Sequence, residues 1–93
     1  MAKTTMDADG AQAISLKALA FLAEDPGRFQ RFINLTGVKP QAVASLVRET
    51  QFQVAVLEHL LGDERLLVEF CTAERLAPTL PSAALQILDP SLG

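Results

Sequence analysis

Proline, glycine and aspartate residues divide this chain of 93 residues into short segments, each with the apolar spacing of a helix. Pro26 and Pro40 disfavour helical geometry in the residue before them, whereas Gly37 and Gly62 are suited to end a helix. Between these residues, apolar side chains recur three and four positions apart. No segment alternates apolar and polar residues for long enough to predict a strand. The sequence therefore predicts an all-α fold, a compact bundle of about five or six short helices.

Two of the predicted helices are apolar over most of their circumference. The first covers about residues 10–24, with Asp9 as its predicted N-cap and Gln12 in the reciprocal position of a capping box. The second follows Thr50, its predicted cap, with Gln53 in the reciprocal position. A helix that is apolar on most sides is usually surrounded by others, so we expect both in the middle of the bundle.

The segment from Leu22 to Pro40 is similar to the segment from Leu60 to Pro78. In each, a leucine lies three places before an aspartate, a phenylalanine seven places after it and a proline fifteen places after it. We interpret Asp25 and Asp63 as N-caps, each contributing roughly 1 kcal/mol. Phe32 and Phe70, the phenylalanines of the two segments, are predicted core residues. The similarity thus indicates repeated architecture and not repeated chemistry. Two explanations of the similarity stay open. The chain contains two pseudo-repeated helix-turn-helix units, or two amphipathic helix pairs are similar by chance.

The ends of the chain differ in character. Residues 1–8 are polar and aperiodic, so we predict a disordered N-terminal segment followed by a single helical domain over 9–93. A last short helix is predicted from about Pro81 to Leu88. It can cover the open side of the bundle or remain partly exposed and dock on another subunit, and both alternatives stay open.

Several features favour a cytoplasmic protein. The start of the chain has no signal-peptide pattern, and no apolar run reaches the roughly 18–20 residues of a membrane helix. The single cysteine, Cys71, cannot form an internal disulfide, which suits a reducing compartment. We therefore expect a soluble protein of the cytoplasm.

A nucleic-acid-binding site is the first chemical hypothesis. The segment 33–49 has the helix, glycine turn and second helix of a helix-turn-helix, with Lys39, Gln41, Ser45 and Arg48 on its exposed face. Against this, eight Lys and Arg are outnumbered by eleven Asp and Glu, and the net charge of −3 opposes phosphate binding. A glycine-terminated turn between helices is also common in proteins that bind no nucleic acid.

An enzymatic site is the second chemical hypothesis. His59 and Cys71 are the only residues of their types and lie on adjacent predicted helices, so a nucleophile dyad is conceivable. However, Cys71 lies on the apolar arc of its helix, where burial raises the pKa of a thiol. A lone histidine also makes a poor metal site, and we interpret it as a partly buried packing residue. We therefore predict no catalytic residue, metal or cofactor.

Two segments carry a resemblance to a known family. They are LAFLAEDP, from Leu19 to Pro26, and LLGDE, from Leu60 to Glu64. With the residues around them, from about Ala11 to Pro78, they resemble a family of small bacterial all-helical proteins known only as a domain of unknown function. The resemblance implies a small helical bacterial protein and no particular site.

Taken together, these features favour a non-enzymatic protein-interaction module that binds its own copies or another protein. Catalytic residue types are scarce, and small helical domains with surplus apolar surface often associate. The alternative is a nucleic-acid-binding regulator that uses segment 33–49. We expect no membrane contact.

Overall fold

The computed structural model describes residues 6–92, and over this range the predicted all-α fold is confirmed. Six helices are present there and no strand: α1 (Ala8–Ala23), α2 (Pro26–Thr36), α3 (Val43–Leu46), α4 (Thr50–Leu61), α5 (Glu64–Glu74) and α6 (Leu80–Leu88). Two 3-10 turns, Pro40–Ala42 and Pro90–Leu92, complete the order. Residues 1–5 of the segment predicted to be disordered lie outside the described range.

Helices α1, α4 and α6 form the centre of the bundle. α1 contacts α2, α4 and α6, and α4 also contacts α5 and α6. Small side chains permit the close packing of α1 and α6, since Ala11 and Ala18 on α1 and Ala84 on α6 are fully buried. The C-terminal helix therefore covers the bundle, which was the first of the two alternatives for this segment.

Edge-to-face contacts between phenylalanines join the outer helices to this centre. The rings of Phe21 and Phe70 have centroids 5.5 Å apart, and those of Phe32 and Phe52 are 6.0 Å apart. Phe32 and Phe70, which occupy equivalent positions in the two similar segments, are both fully buried. Their prediction as core residues is confirmed.

Most of the predicted helix ends are also confirmed. The carboxylate of Asp25 accepts the backbone N–H of Gly27 at 2.8 Å, and that of Asp63 accepts the N–H of Leu66 at 3.2 Å. Gly37 ends α2 in the left-handed conformation, with φ of 75°. These ends depend on interactions between residues that are close in the chain.

The predicted cap of the first helix is wrong. Asp7, and not Asp9, accepts the N–H of Gly10 at 2.8 Å, and the helix begins at Ala8. Met6 lies two residues before the helix, and its partly buried side chain packs against the core. Both aspartates are good caps by residue type, and the contact of Met6 with the core favours the earlier one.

The predicted capping box of α4 is wrong as well. Glu49 occupies the cap position without a side-chain hydrogen bond, and Thr50 is already helical. Gln53 is only 3% exposed, and its Nε2 donates to the carbonyl of Val47 at 3.1 Å. The side chain is therefore used to satisfy the end of α3, because it faces the core and not the start of its own helix.

Burial distinguishes the two apolar helices. α4 buries four large apolar side chains, namely Phe52, Val56, Leu57 and Leu60. α1 is less completely surrounded than predicted, since Leu16 is 43% exposed. Within the described range, no helix combines the length and apolar character that crossing a membrane requires.

Candidate functional site: an arginine-lined cleft

A surface cleft of about 250 Å³ lies between α2, the end of α4 and the beginning of α5. Charged and titratable side chains form most of its lining. We name it the arginine cleft; the side chains concerned are Arg28, Arg31, His59, Asp63, Arg65 and Glu69.

The first turns of α2 and α5 both border the arginine cleft. Gly27 and Arg28 belong to the first turn of α2, and Arg65 belongs to that of α5. Each turn follows a capping aspartate, Asp25 or Asp63, at the same place in the two similar segments. The repeated architecture thus brings two helix beginnings to one cleft.

Arg28 is held in place by three contacts. Its Nη1 donates to the carbonyl of Phe21 at 3.0 Å, and its guanidinium lies 4.0 Å from the centroid of the Phe21 ring. Its Nε also lies 3.9 Å from a carboxylate oxygen of Asp25. Arg28 therefore contributes a positive charge to the arginine cleft with little freedom to move.

Arg31 and Arg65 are much less restrained. Among residues 6–92, Arg31 is exposed and takes part in no ion pair. The side chain of Arg65 is 89% exposed, and its Nε lies 3.9 Å from a carboxylate oxygen of Glu69. An exposed pair at this distance contributes little stability. Both guanidinium groups are consequently free to reorganise around a ligand.

His59 packs in the arginine cleft through the ring of Phe32, with the two ring centroids 5.2 Å apart. Its Nε2 is buried and has no hydrogen-bond partner within the described range. Burial, and secondarily the charge of Arg31, lowers the pKa of His59, while the carboxylate of Asp63 acts in the opposite direction. His59 is therefore neutral near pH 7, as suits a half-buried packing residue.

A shallow depression on α2 continues the arginine cleft. It is lined by Gln30, Arg31, Asn34 and Leu35, and we call these four residues the α2 surface. The Nε2 of Gln30 donates to the Oδ1 of Asn34 at 2.9 Å, and Leu35 is 65% exposed. Since Arg31 lines both depressions, they form one continuous surface that ends at an exposed leucine.

Sequence reasoning missed this surface, although one signal for it was present. Arg28 and Arg65 lie in first helical turns, where the helix dipole disfavours a positive charge. Because this placement does not stabilise the helix itself, it indicates that the two arginines have a role other than helix formation. Arg31 and Leu35 carry no comparable signal, because their position beside the cleft depends on the packing of α4 and α5.

The predicted nucleic-acid-binding residues lie elsewhere. Lys39, Gln41, Ser45 and Arg48 are all exposed, and none lines the arginine cleft. They lie along a segment made of a 3-10 turn and the four-residue helix α3, which is shorter than the helix that usually enters a DNA groove. Their role in nucleic-acid binding stays a prediction.

The conceivable dyad of His59 and Cys71 is not assembled. No hydrogen bond joins these side chains in the part of the chain that is described, and the Sγ of Cys71 instead donates to the carbonyl of Ala77 at 3.9 Å. Cys71 is 4% exposed, and burial raises the pKa of its thiol. Residues 6–92 also contain no group of three metal-ligating side chains.

Comparison with known proteins gives a family without an activity. The family model described as "Protein of unknown function (DUF3572)" matches residues 8–91. No curated protein and no solved structure matches the chain. The resemblance to a family of unknown function is thereby confirmed over nearly the whole chain, whereas the bacterial origin that it implies stays a prediction.

Proposed function

The chain belongs to DUF3572, a family of proteins to which no activity is assigned, and from the surface of this member we propose that it is a non-enzymatic protein-interaction module. The observation that carries this proposal is the continuous surface from the arginine cleft to Leu35. Arginine is enriched at protein interfaces, and the exposed leucine beside it adds apolar surface that a partner can bury.

The charge of this surface favours an acidic partner. Three arginines face two carboxylates in the cleft, whereas the whole chain has a net charge of −3. A second copy bound through the same surface would oppose one arginine cleft to another, and like charges would repel. The proposed occupant is therefore an acidic segment of a different protein.

The roles of the cleft side chains support a non-enzymatic module. His59 is packed against Phe32, and the carboxylate of Asp63 caps α5. The arginines suit electrostatic binding more than proton transfer, because guanidinium stays protonated at any physiological pH. Neither histidine nor aspartate is placed beside a nucleophilic side chain of the cleft lining.

A nucleic-acid-binding regulator is the alternative proposal. Its support is the exposure of Lys39, Gln41, Ser45 and Arg48 on one segment. Salt-dependent retention on DNA, compared between the parent protein and Arg48→Glu, tests it directly. Retention that is weakened by the substitution would favour this alternative over protein binding.

A bacterial cytoplasm, the compartment predicted from the sequence, is part of the same proposal. Its support is Cys71, an unpaired thiol that would remain reduced in such a compartment. Fractionation of native cells, with detection by antibody, tests this location. Recovery of the protein in an oxidising compartment would contradict it.

Site-specific photo-cross-linking in native cells tests the proposed function. A photoreactive amino acid replaces Leu35, and in a control protein it replaces Ser82, which is exposed on α6. We expect a defined adduct only from position 35, whose second component mass spectrometry identifies. The purified partner should then bind the parent protein, and Leu35→Asp should abolish that binding.

Three outcomes would contradict the proposal. Equal adducts from both positions would show that the surface is not selective. Failure of the purified partner to bind would show that the adduct was accidental. An adduct formed only with a second copy, together with a doubled mass by sedimentation, would replace the acidic partner with a homo-oligomer.

A further inference from the structure

We infer that the arginine cleft receives one carboxylate side chain from the acidic segment of the partner, with Arg31 and Arg65 as its ligands. This inference rests on the proposed function and names the group that the surface recognises. The cleft, at about 250 Å³, has room for a carboxylate side chain, and the depression on α2 that continues it leaves room for the polypeptide that carries this side chain.

The two less restrained arginines border the arginine cleft from different helices. Arg31 lies on α2 and Arg65 on α5, so a group between them is held from two sides. The planar guanidinium binds a carboxylate with two parallel hydrogen bonds, a geometry that lysine does not provide. Arg28, fixed over Phe21, adds positive charge without needing to move.

The Nε2 of His59 is a buried polar atom beside the two arginines that has no hydrogen-bond partner, a state that it shares with the Oε1 of Gln53 within the described range. Buried polar atoms in proteins are nearly always hydrogen-bonded, and this one has no partner among residues 6–92. His59 lines the same cleft as both arginines. A neutral His59 donates from Nε2 in one of its two tautomers, and a carboxylate could accept that hydrogen bond once the ring turns to expose the atom.

In the free protein, the carboxylate of Glu69 lies beside the guanidinium of Arg65. The two groups are 3.9 Å apart, which is long for a direct hydrogen bond. The carboxylate of a partner would replace Glu69 at Arg65 and gain a second contact from Arg31. Glu69 thus acts as an internal competitor, and its removal should strengthen binding. Asp63 competes less, because its carboxylate already accepts the N–H of Leu66.

Titration calorimetry with a hexaglutamate peptide tests this inference, with hexaglutamine as the neutral control. We expect saturable binding of hexaglutamate alone. Arg31→Gln and Arg65→Gln should each lower the affinity about tenfold, the usual order for a hydrogen bond to a charged group. Glu69→Gln should raise it several-fold. The matched control Arg75→Gln, an exposed arginine outside the cleft, should leave it unchanged.

Circular dichroism of each variant confirms folding, and amide chemical shifts locate the peptide. Shifts confined to residues 27–31 and 59–69 would support the inference. Equal weakening by Arg75→Gln, or equal binding of hexaglutamine, would overturn it. So would saturation by inorganic phosphate or a phosphoserine peptide without saturation by hexaglutamate, because the recognised group would then be a phosphate.

The two proposals fail in different ways. A cross-link from position 35 that persists unchanged in the double variant Arg31→Gln/Arg65→Gln would overturn the carboxylate site and leave the protein-interaction function intact. Saturable hexaglutamate binding without any cross-linked partner would instead contradict the proposed function. The peptide titration needs no knowledge of the natural partner.

Discussion

The ring of His59 meets the ring of Phe32 edge to face, with an interplanar angle of 74°. This contact joins the last turn of α4 to the buried side of α2 and forms part of the arginine cleft. It is favourable for a neutral imidazole, whereas a charged one would lose hydration there. The contact helps to bury His59, and burial is the main cause of the lowered pKa of this residue of the cleft.

Stability should decrease as the pH falls below about 6.5, the ordinary pKa of histidine. Burial lowers the pKa of His59 in the folded protein, so the unfolded chain takes up the proton first and is favoured by acid. The contribution is complete above pH 6.5 and is lost as the pH falls towards the lowered folded pKa. Melting temperatures of the parent and His59→Gln from pH 7.5 to 5.5 measure it. Identical pH slopes for the two proteins would disprove the role of His59.

Gly37→Ala should lower the free energy of unfolding by about 1 kcal/mol, because an L-residue is strained in the left-handed conformation. The φ of Gly37 is +75°, and an added Cβ would meet no atom within 4 Å, so strain of the backbone is the whole cost. Gly37→Asn is the matched control, since asparagine tolerates this conformation better. Urea denaturation should rank the stabilities as Gly, then Asn, then Ala. An alanine variant as stable as the parent would contradict the reasoning.

Ala18→Leu should lower the free energy of unfolding by about 1–3 kcal/mol, because it overpacks a buried position. Ala18 is completely buried in α1, the helix that packs closely against α6. Ala20→Leu places the same side chain at an exposed position of the same helix. Thermal unfolding should therefore separate the two variants clearly. Equal melting temperatures would show that the bundle has room beside Ala18.

Cys71 should resist alkylation at pH 7 until the protein unfolds. The thiol is buried, and burial raises its pKa, so the reactive thiolate is scarce. Reaction with iodoacetamide, followed by mass spectrometry in buffer and in concentrated urea, measures this protection. Rapid modification of the folded protein would instead favour the enzymatic hypothesis for His59 and Cys71.

The two predicted caps that were wrong show the limit of local patterns. Asp9 and Thr50 are suitable residue types, and each has a glutamine three positions later. At the observed helix starts Met6 and Gln53 contact the core, and the burial of such side chains is comparable with the roughly 1 kcal/mol that a single cap contributes. A preference of that size is decided by tertiary packing.

The sequence by itself determined the helical class, the positions of most helix ends and the buried phenylalanines. These features follow from interactions within one or two turns, such as Asp25 capping α2 and Gly37 closing it. Only the tertiary structure decided that Arg31 and Arg65, which are distant in the chain, border one cleft. The physical reason is that their approach depends on how α2, α4 and α5 share a core, and no local preference specifies that arrangement.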